Sequence, residues 1–291
     1  INRDRAMTDP FFKFIHLTDP HIIASPDTLF GTDVHHHLRR AVDSINQNFS
    51  DANLCMITGD LAHWGEAQAY AELKEILAEL KMPWHLLMGN HDARSAARDI
   101  FPELPWSEGG FLHYRMETAA GVFLVLDTVD DGKNNGRLCE SRLRWLRQQL
   151  LDSQASRDDV FLFMHHPPMK IGIHSMDLIG MANPEDLIAV LQGFKHIRHL
   201  FFGHLHRTCH GSWRGIPFST VKATCYQVEL RLDGSEVLAC SHEHPAYAVA
   251  LISKDSVVIH DHSYMEEDKT FNYDRGAPKG GDKPEHQKAW S

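Results

Sequence analysis

Carboxylates, imidazoles and one neutral amide recur in five short polar clusters: Asp19-Pro20-His21, Gly59-Asp60, Gly89-Asn90-His91-Asp92, His165-His166-Pro167-Pro168 and Gly203-His204-Leu205-His206. Side chains of these types hold transition-metal ions, and imidazoles also carry protons. Taken singly, each cluster reads equally well as a turn, since Asp-Pro and Gly-Asn pairs are ordinary turn formers. Their common position gives them meaning. Each directly follows an apolar run: Phe11–Leu17, Leu54–Thr58, Trp84–Met88, Val160–Met164 and Ile197–Phe202. Such runs read as buried strands of an α/β sheet. Open α/β folds take their ligands at the carboxyl ends of the strands. Polar groups at five successive strand ends therefore point to one site.

The donor types narrow the chemistry. Imidazole, carboxylate and amide oxygen without cysteine suit Fe, Mn, Zn or Co rather than Ca or a thiolate-bound ion. There are more ligands than one ion takes. Two ions sharing a carboxylate would use them, and two-metal sites with ions about 3.5–4 Å apart serve phosphate-ester hydrolysis. In extended backbone Asp19 and His21 point to one side. His166 points away from His165 and reads as fixing its loop. His35, His36 and His37 cannot all face one ligand from a helix and read as surface residues. His63 and Trp64 follow Asp60 closely and either touch the substrate or pack the loop. His174, Met176 and Asp177 lie in the loop after His-His-Pro-Pro, where they would shape a leaving-group pocket. Cys209, His210, His242 and His244 receive no role.

Helical patterns separate the strands. Leu38, Ala41, Val42 and Ile45 give one apolar face to a helix over 33–48, and Ala69, Leu73, Ile76, Leu77 and Leu80 to one over 67–81, closed by Pro83. Further helices are expected over 93–100, 140–151 and from Asn183-Pro184, where a cap and a first-turn proline stand in order. Two antiparallel strands are expected over 111–117 and 122–127. After Phe202 the pattern changes to short strands over 211–213, 216–220, 226–232, 247–253 and 256–262. The division expected is an extension over 1–10, one domain over 11–263 and a polar tail or arm over 264–291, with Met7 as the natural start.

With 291 residues, 43% hydrophobic and 23% charged, the chain has the composition of an ordinary globular protein. No apolar run approaches the roughly 20 residues that span a bilayer, the opening residues do not read as a secretory signal, and no membrane partner is expected. A net charge of −10 argues against polymeric nucleic acid as a partner. A small phosphorylated substrate stays open, because bound metal supplies local positive charge. The five cysteines are scattered, without a Cys-x-x-Cys, and read as reduced thiols of a cytoplasmic protein.

In this order, Asp-x-His, Gly-Asp, Gly-Asn-His-Asp, His-His-Pro-Pro and Gly-His-x-His resemble the calcineurin-like metallophosphoesterase superfamily, nearest to the class III cyclic-nucleotide phosphodiesterases and the bacterial glycerophosphodiesterases. The five blocks run from Asp19 to His206 and are specific as a set. Gly136-Arg137-Leu138 before the Trp145-Leu146 helix and Arg214-Gly215-Ile216-Pro217 add to the likeness. The resemblance implies a four-layer α/β/β/α sandwich of two mixed β-sheets flanked by helices. It implies two divalent or trivalent transition-metal ions, with Asp19, His21 and His206 on one, Asn90, His165 and His204 on the other, and Asp60 bridging them. It further implies a phosphodiesterase for small diesters, 3′,5′-cyclic nucleotides such as cAMP first, acting by attack of a metal-activated hydroxide on phosphorus. Asn90 and His91 would meet the substrate, with His91 as general acid. Asp92 would either orient His91 or cap the following helix.

The alternatives are a glycerophosphodiesterase or a broad-specificity phosphodiesterase and phosphomonoesterase. Protein-phosphatase relatives carry an Arg in Gly-Asp-x-Val-Asp-Arg-Gly, whereas this chain reads Gly59-Asp60-Leu61-Ala62-His63-Trp64-Gly65. The acidic charge speaks against a nuclease, and the filled ligand positions against a scaffold without metal. Self-association as a dimer or larger homo-oligomer is also implied, with the short strands after Phe218 as its interface.

Overall fold

The computed structural model describes residues 11–265. The expected N-terminal extension and nearly all of the expected tail lie outside the described residues. The strands are β1 (Phe12–Leu17), β2 (Leu54–Thr58), β3 (Trp84–Leu87), β4 (Tyr114–Thr118), β5 (Gly121–Leu126), β6 (Val160–Met164), β7 (Ile197–Phe202), β8 (Cys209–Trp213), β9 (Ile216–Thr220), β10 (Gln227–Val228), β11 (Cys240–Ser241), β12 (Ala246–Ile252) and β13 (Val257–Ser263). The helices are α1 (Val34–Asn48), α2 (Ala67–Leu77), α3 (Arg94–Ile100), α4 (Glu140–Ser156), the single turn α5 (His174–Asp177) and α6 (Pro184–Leu191).

Two mixed sheets form, ordered β13-β12-β1-β2-β3 and β4-β5-β6-β7-β9-β8, with β10 and β11 as a separate ribbon. β1, β2 and β3 are parallel, as are β5, β6 and β7, so each sheet carries its polar strand ends on one edge. Strand alternation builds the layers. Val160, Leu162 and Met164 of β6 face Leu146, Leu150 and Leu187 of α4 and α6, whereas Phe161 and Phe163 face the other sheet. Between the sheets Phe14 meets Phe123, Phe163 and Phe201 at centroid distances of 5.5, 5.7 and 5.2 Å, all edge to face. The apolar face of α1 (Leu38, Ala41, Val42, Ile45) joins this larger core. The result is the α/β/β/α sandwich that the resemblance implies.

Differences from the sequence reading lie mostly at boundaries. The second helix stops at Leu77, and Leu80 is buried from the irregular turn that follows it. The strand expected over 226–232 is reduced to Gln227–Val228, because the chain leaves any sheet there and pairs only with Cys240–Ser241. Tyr264, the first residue of the expected tail, is buried and stacks on Tyr247 at 5.7 Å. No helix among the described residues is long and apolar enough to cross a membrane.

Candidate metal centre

The carboxyl edges of the two sheets meet, and glycine permits the approach. A Cβ on Gly203 would lie 2.2 Å from the Thr58 carbonyl oxygen and 2.9 Å from His165 Nδ1. A Cβ on Gly89 would lie 2.2 Å from Asp60 Oδ1 and 2.3 Å from the Asp60 nitrogen. Any side chain at either place would separate the strand ends. The loops after β1 and β2 continue the parallel pairing of their strands, with His21 N donating to Asp60 O at 2.9 Å and His63 N to Ile22 O at 2.9 Å. This pairing sets Asp19-Pro20-His21 beside Asp60.

The expected ligands come together around Asp60 and Asp19. Asp60 Oδ2 lies 3.3 Å from His21 Nε2 and 3.3 Å from His165 Nε2. Asp19 Oδ1 lies 3.4 Å from His206 Nε2, and His206 Nε2 lies 3.1 Å from His21 Nε2. Asn90 Oδ1 is 3.2 Å from His165 Nε2. Asp19, His21, Asp60 and His206 form one compact group of possible ligands, and His165, His166 and His204 another. The ligand loops adopt unusual backbone. Asp19, His21, Asp60, His204 and His206 all have positive φ, between 44° and 70°. That conformation costs a non-glycine residue roughly 1–3 kcal/mol and concentrates at functional sites.

These residues fit metal ions by three observations. His21 and His206 turn nitrogen atoms on each other at 3.1 Å, an arrangement that calls for a cation or a proton between them. His204 Nε2 is buried without a hydrogen-bond partner among the described residues, which is costly for an imidazole unless something binds there. Nδ1–H of His165 donates to the Thr58 carbonyl at 2.8 Å and Nδ1–H of His206 to the Tyr226 carbonyl at 2.8 Å. These bonds fix each tautomer and present the Nε2 lone pair to the centre.

Electrostatics agrees. Burial, only partly offset by Asp60, holds His21 down to about 4, and burial with His165 nearby holds His204 down to about 3, so both are neutral imidazoles. Burial opposes a charge on His165 too, but Asp60 and Asp19 outweigh it and lift that ring to about 9. Burial would raise Asp60, yet His165 and His21 hold it well below the usual carboxylate range. The centre is a buried pair of carboxylates that draws positive charge.

Two further residues join the site: His63, for which the sequence leaves substrate contact and loop packing both open, and Cys225, which has no sequence assignment. His63 Nδ1 lies 2.8 Å from His21 Nδ1, so an N–H of one ring donates to the other, and the His63 ring stacks on His91 at 4.6 Å. Its signal was a histidine three residues past Asp60, on a loop whose pairing with the first loop no single-chain pattern announces. Cys225 places Sγ 3.6 Å from His206 Nδ1. It lies in an irregular stretch, and nothing in the sequence marks it. His166 lies close to His165 and His204, but both its nitrogens have other partners, Nδ1 at 2.8 Å from Thr128 Oγ1 and Nε2 at 3.2 Å from the Asn134 carbonyl. Met176 packs with Ile173, Leu205 and Val228 beneath the Gly-His-Leu-His turn. Asp177 accepts from the nitrogens of Ile171 and Gly172 at 2.7 and 3.2 Å, while His174 looks outward to Glu236 at 4.0 Å.

Asp92 corrects both expected roles. It neither orients His91, whose Nδ1–H donates to the His63 carbonyl at 2.9 Å, nor caps α3, which begins at N-cap Ala93 without a side-chain cap bond. The tight turn closed by Asp92 N donating to Gly89 O at 3.1 Å folds the carboxylate back. There it accepts from Gly89 N at 2.8 Å, Ala62 N at 3.0 Å, Leu61 N at 3.1 Å and Tyr70 Oη at 2.9 Å. It therefore staples the Asn90 turn to the Asp60 loop. Burial and the Asp60 charge raise its pKa to about 6. Asp92→Ala would orphan several buried donors at about 1–3 kcal/mol each, less than additively. The expected loss is about 3 kcal/mol or more in urea-unfolding stability, against under 1 kcal/mol for a surface control.

Comparison with known proteins adds four likenesses. The family model described as calcineurin-like phosphoesterase matches residues 12–208. A probable cyclic nucleotide phosphodiesterase of Rhodopseudomonas palustris is 39% identical over 262 residues, 89% of this chain and 95% of that one. A probable glycerophosphodiester phosphodiesterase of Arcobacter nitrofigilis is 31% identical, over 75% of this chain and 80% of that one. Among solved structures, a dimetal phosphatase from Danio rerio superposes with a TM-score of 0.69 at 16% identity, over 89% of this chain and 98% of that one, a likeness of fold.

Proposed function

The chain belongs to the calcineurin-like phosphoesterase family, and from that premise we propose that it is a dinuclear-metal hydrolase of small phosphodiesters, 3′,5′-cyclic nucleotides such as cAMP first. The observation that carries the reading is Asp60, whose Oδ2 stands 3.3 Å from an imidazole of each ligand group. The 39% identity with a probable cyclic nucleotide phosphodiesterase supports the substrate class. Glycerophosphodiesters are the second reading, supported by the 31% identity with a probable glycerophosphodiester phosphodiesterase.

In this reading Asp19, His21 and His206 hold one ion, Asn90, His165 and His204 the other, and Asp60 both. The ions are Fe, Mn, Zn or Co, since the donor set lacks thiolate among the seven and is rich in imidazole. When bound, such ions supply charge that polarises a phosphoryl oxygen and acidifies water. The chain's own residues do the rest. Thr58 and Tyr226 carbonyls hold the His165 and His206 rings in register. Asn90, half-buried at the edge of the centre, reaches an equatorial phosphoryl oxygen with its amide. His91 is also half-buried, with Nδ1–H bound to the His63 carbonyl. That leaves Nε2 facing the substrate, where the doubly protonated ring would deliver its Nε2 proton to the leaving alkoxide and return to the neutral Nδ1–H form. Residues 11–263 form the catalytic unit. The free cysteines among the described residues suit the cytoplasm, and the working form is a homo-oligomer.

Chelation tests the reading. Dialysis against a strong chelator is expected to lower turnover of cyclic AMP and of a glycerophosphodiester together by more than about a hundredfold, and Mn, Co or Zn to restore it. Full activity after complete metal removal, measured by elemental analysis, overturns it.

A further inference from the structure

Beside the ligand groups, and bordered by Tyr226, lies a cleft lined by none of the expected ligands. Its volume is about 430 Å³, within the range of small-molecule sites. Phe30, Tyr226, Leu238, Cys240, Ser241 and His242 line it. The Tyr226 ring packs on His206 at 4.7 Å and meets Phe30 edge to face at 5.4 Å. Tyr226 thus both lines the cleft and touches an expected metal ligand. Phe30 also meets His63 at 5.8 Å, so the lip of the cleft and the His63–His91 stack adjoin.

The cleft is built, and it is open to water. Phe30 is 64% exposed and Leu238 45%, although large apolar side chains bordering a polar centre gain nothing from water. Phe30 adopts φ +49°, a left-handed conformation that is an outlier for a bulky aromatic residue. Next to it Gly31, at φ +83°, lets the loop turn back. His242 Nε2–H donates to the Phe30 carbonyl at 3.0 Å, which ties the end of β11 to this loop and fixes the two walls against each other. The strained loop holds a flat ring at the mouth of a cleft whose floor is another ring.

We propose that this cleft receives the nucleobase of the substrate, inserted between the Phe30 face and the Leu238 wall while the phosphodiester lies at the ligand groups. The proposal rests on the phosphodiesterase reading and selects within it. A cyclic nucleotide carries a planar ring at one end of its ribose, and this ring fills the cleft. Glycerol carries no surface to stack and leaves the cleft in water. Few polar groups line the walls, chiefly the Ser241 hydroxyl, the His242 imidazole and the Cys240 thiol. Every base has a stacking face, and hydrogen bonds are what tell bases apart. The cleft therefore selects a nucleobase over an alkyl alcohol more strongly than one base over another.

The test compares wild-type metal-loaded enzyme with Phe30→Ala and Leu238→Ala, each checked for fold by circular dichroism. The ratio of kcat/KM for cyclic AMP to kcat/KM for glycerophosphoethanolamine is expected to fall roughly tenfold to hundredfold in Phe30→Ala, mainly through KM, and less in Leu238→Ala. Calorimetric titration with adenosine 5′-monophosphate and with ribose 5-phosphate reads the cleft without turnover. Wild type is expected to bind the adenosine compound at least about tenfold tighter, and Phe30→Ala to narrow that gap. An unchanged ratio in both variants, or equal affinity for the two phosphates in wild type, overturns the proposal. Hydrolysis of neither diester would reject the phosphodiesterase reading, and the titration would still decide the cleft: a base preference lost in Phe30→Ala sustains it, and no preference overturns it.

Discussion

Asp60→Ala is expected to release both metal ions and to lower turnover of any diester by about a thousandfold or more. Its Oδ2 faces His21 on one side and His165 on the other at 3.3 Å each, while Oδ1 accepts from the His91 nitrogen at 2.9 Å. Asp19 Oδ1 faces the same two rings from 3.9 Å each, so Asp60 is the carboxylate nearer to both. Removing an outer-shell partner of a ligand already costs roughly 10–100-fold in metal affinity, and a shared carboxylate supports two ions at once. Lewis-acid stabilisation is worth several kcal/mol, and about 4 kcal/mol corresponds to roughly a thousandfold in rate. Asp60 lies at φ +48°, where alanine is strained and asparagine is not. Asp60→Asn therefore keeps the loop and the bond to His91 while removing the charge. Elemental analysis of both variants gives the decisive reading. Release of both ions in each supports the bridge, and retention of one ion at full stoichiometry rejects it.

The same residue marks the limit of what the chain reveals by itself. That Asp60 ends a strand is legible, because Leu54–Thr58 is a short apolar run broken by glycine, and period-2 alternation with parallel pairing does the rest. The four other polar clusters were legible as strand ends for the same reason, whereas the stacking of two sheets into four layers came from the resemblance to the family. Cys225 was not legible, and for His63 only its nearness to Asp60 was, not its contacts with His21 and His91. Their placement depends on loops that pair across sequence separations of 42 and 19 residues, and no local propensity encodes such pairing. Asp92 failed differently. Its type and position before a helix fit a cap, but a tight turn directs the carboxylate to three backbone nitrogens of two loops. The strand expected over 226–232 failed because apolar alternation near Leu230 and Leu232 mimics a half-buried strand, whereas both side chains are exposed beside the Gln227–Val228 ribbon.

His91→Ala is expected to keep both ions and to lose about 10²–10⁴-fold in turnover on diesters with alkoxide leaving groups, the range that general acid catalysis contributes. The argument begins with its surroundings. Nδ1–H is engaged by the His63 carbonyl at 2.9 Å, and the ring lies between His63, stacked at 4.6 Å, and His21, edge to face at 4.7 Å. The ring is thus oriented by its partners, and Nε2 is the nitrogen available to the substrate. An alkoxide leaves poorly unless protonated, whereas a nitrophenolate leaves well without help. The loss on bis(p-nitrophenyl) phosphate is therefore expected to be at least about tenfold smaller than the loss on cyclic AMP or glycerophosphoethanolamine. The competing role is specific, because His21, His63 and His91 also come close enough to hold an ion among themselves. Metal content separates the two. If His91 delivers a proton, the variant retains both ions and its defect grows with the basicity of the leaving group. If His91 is a ligand, one ion is missing and the two classes of substrate suffer alike.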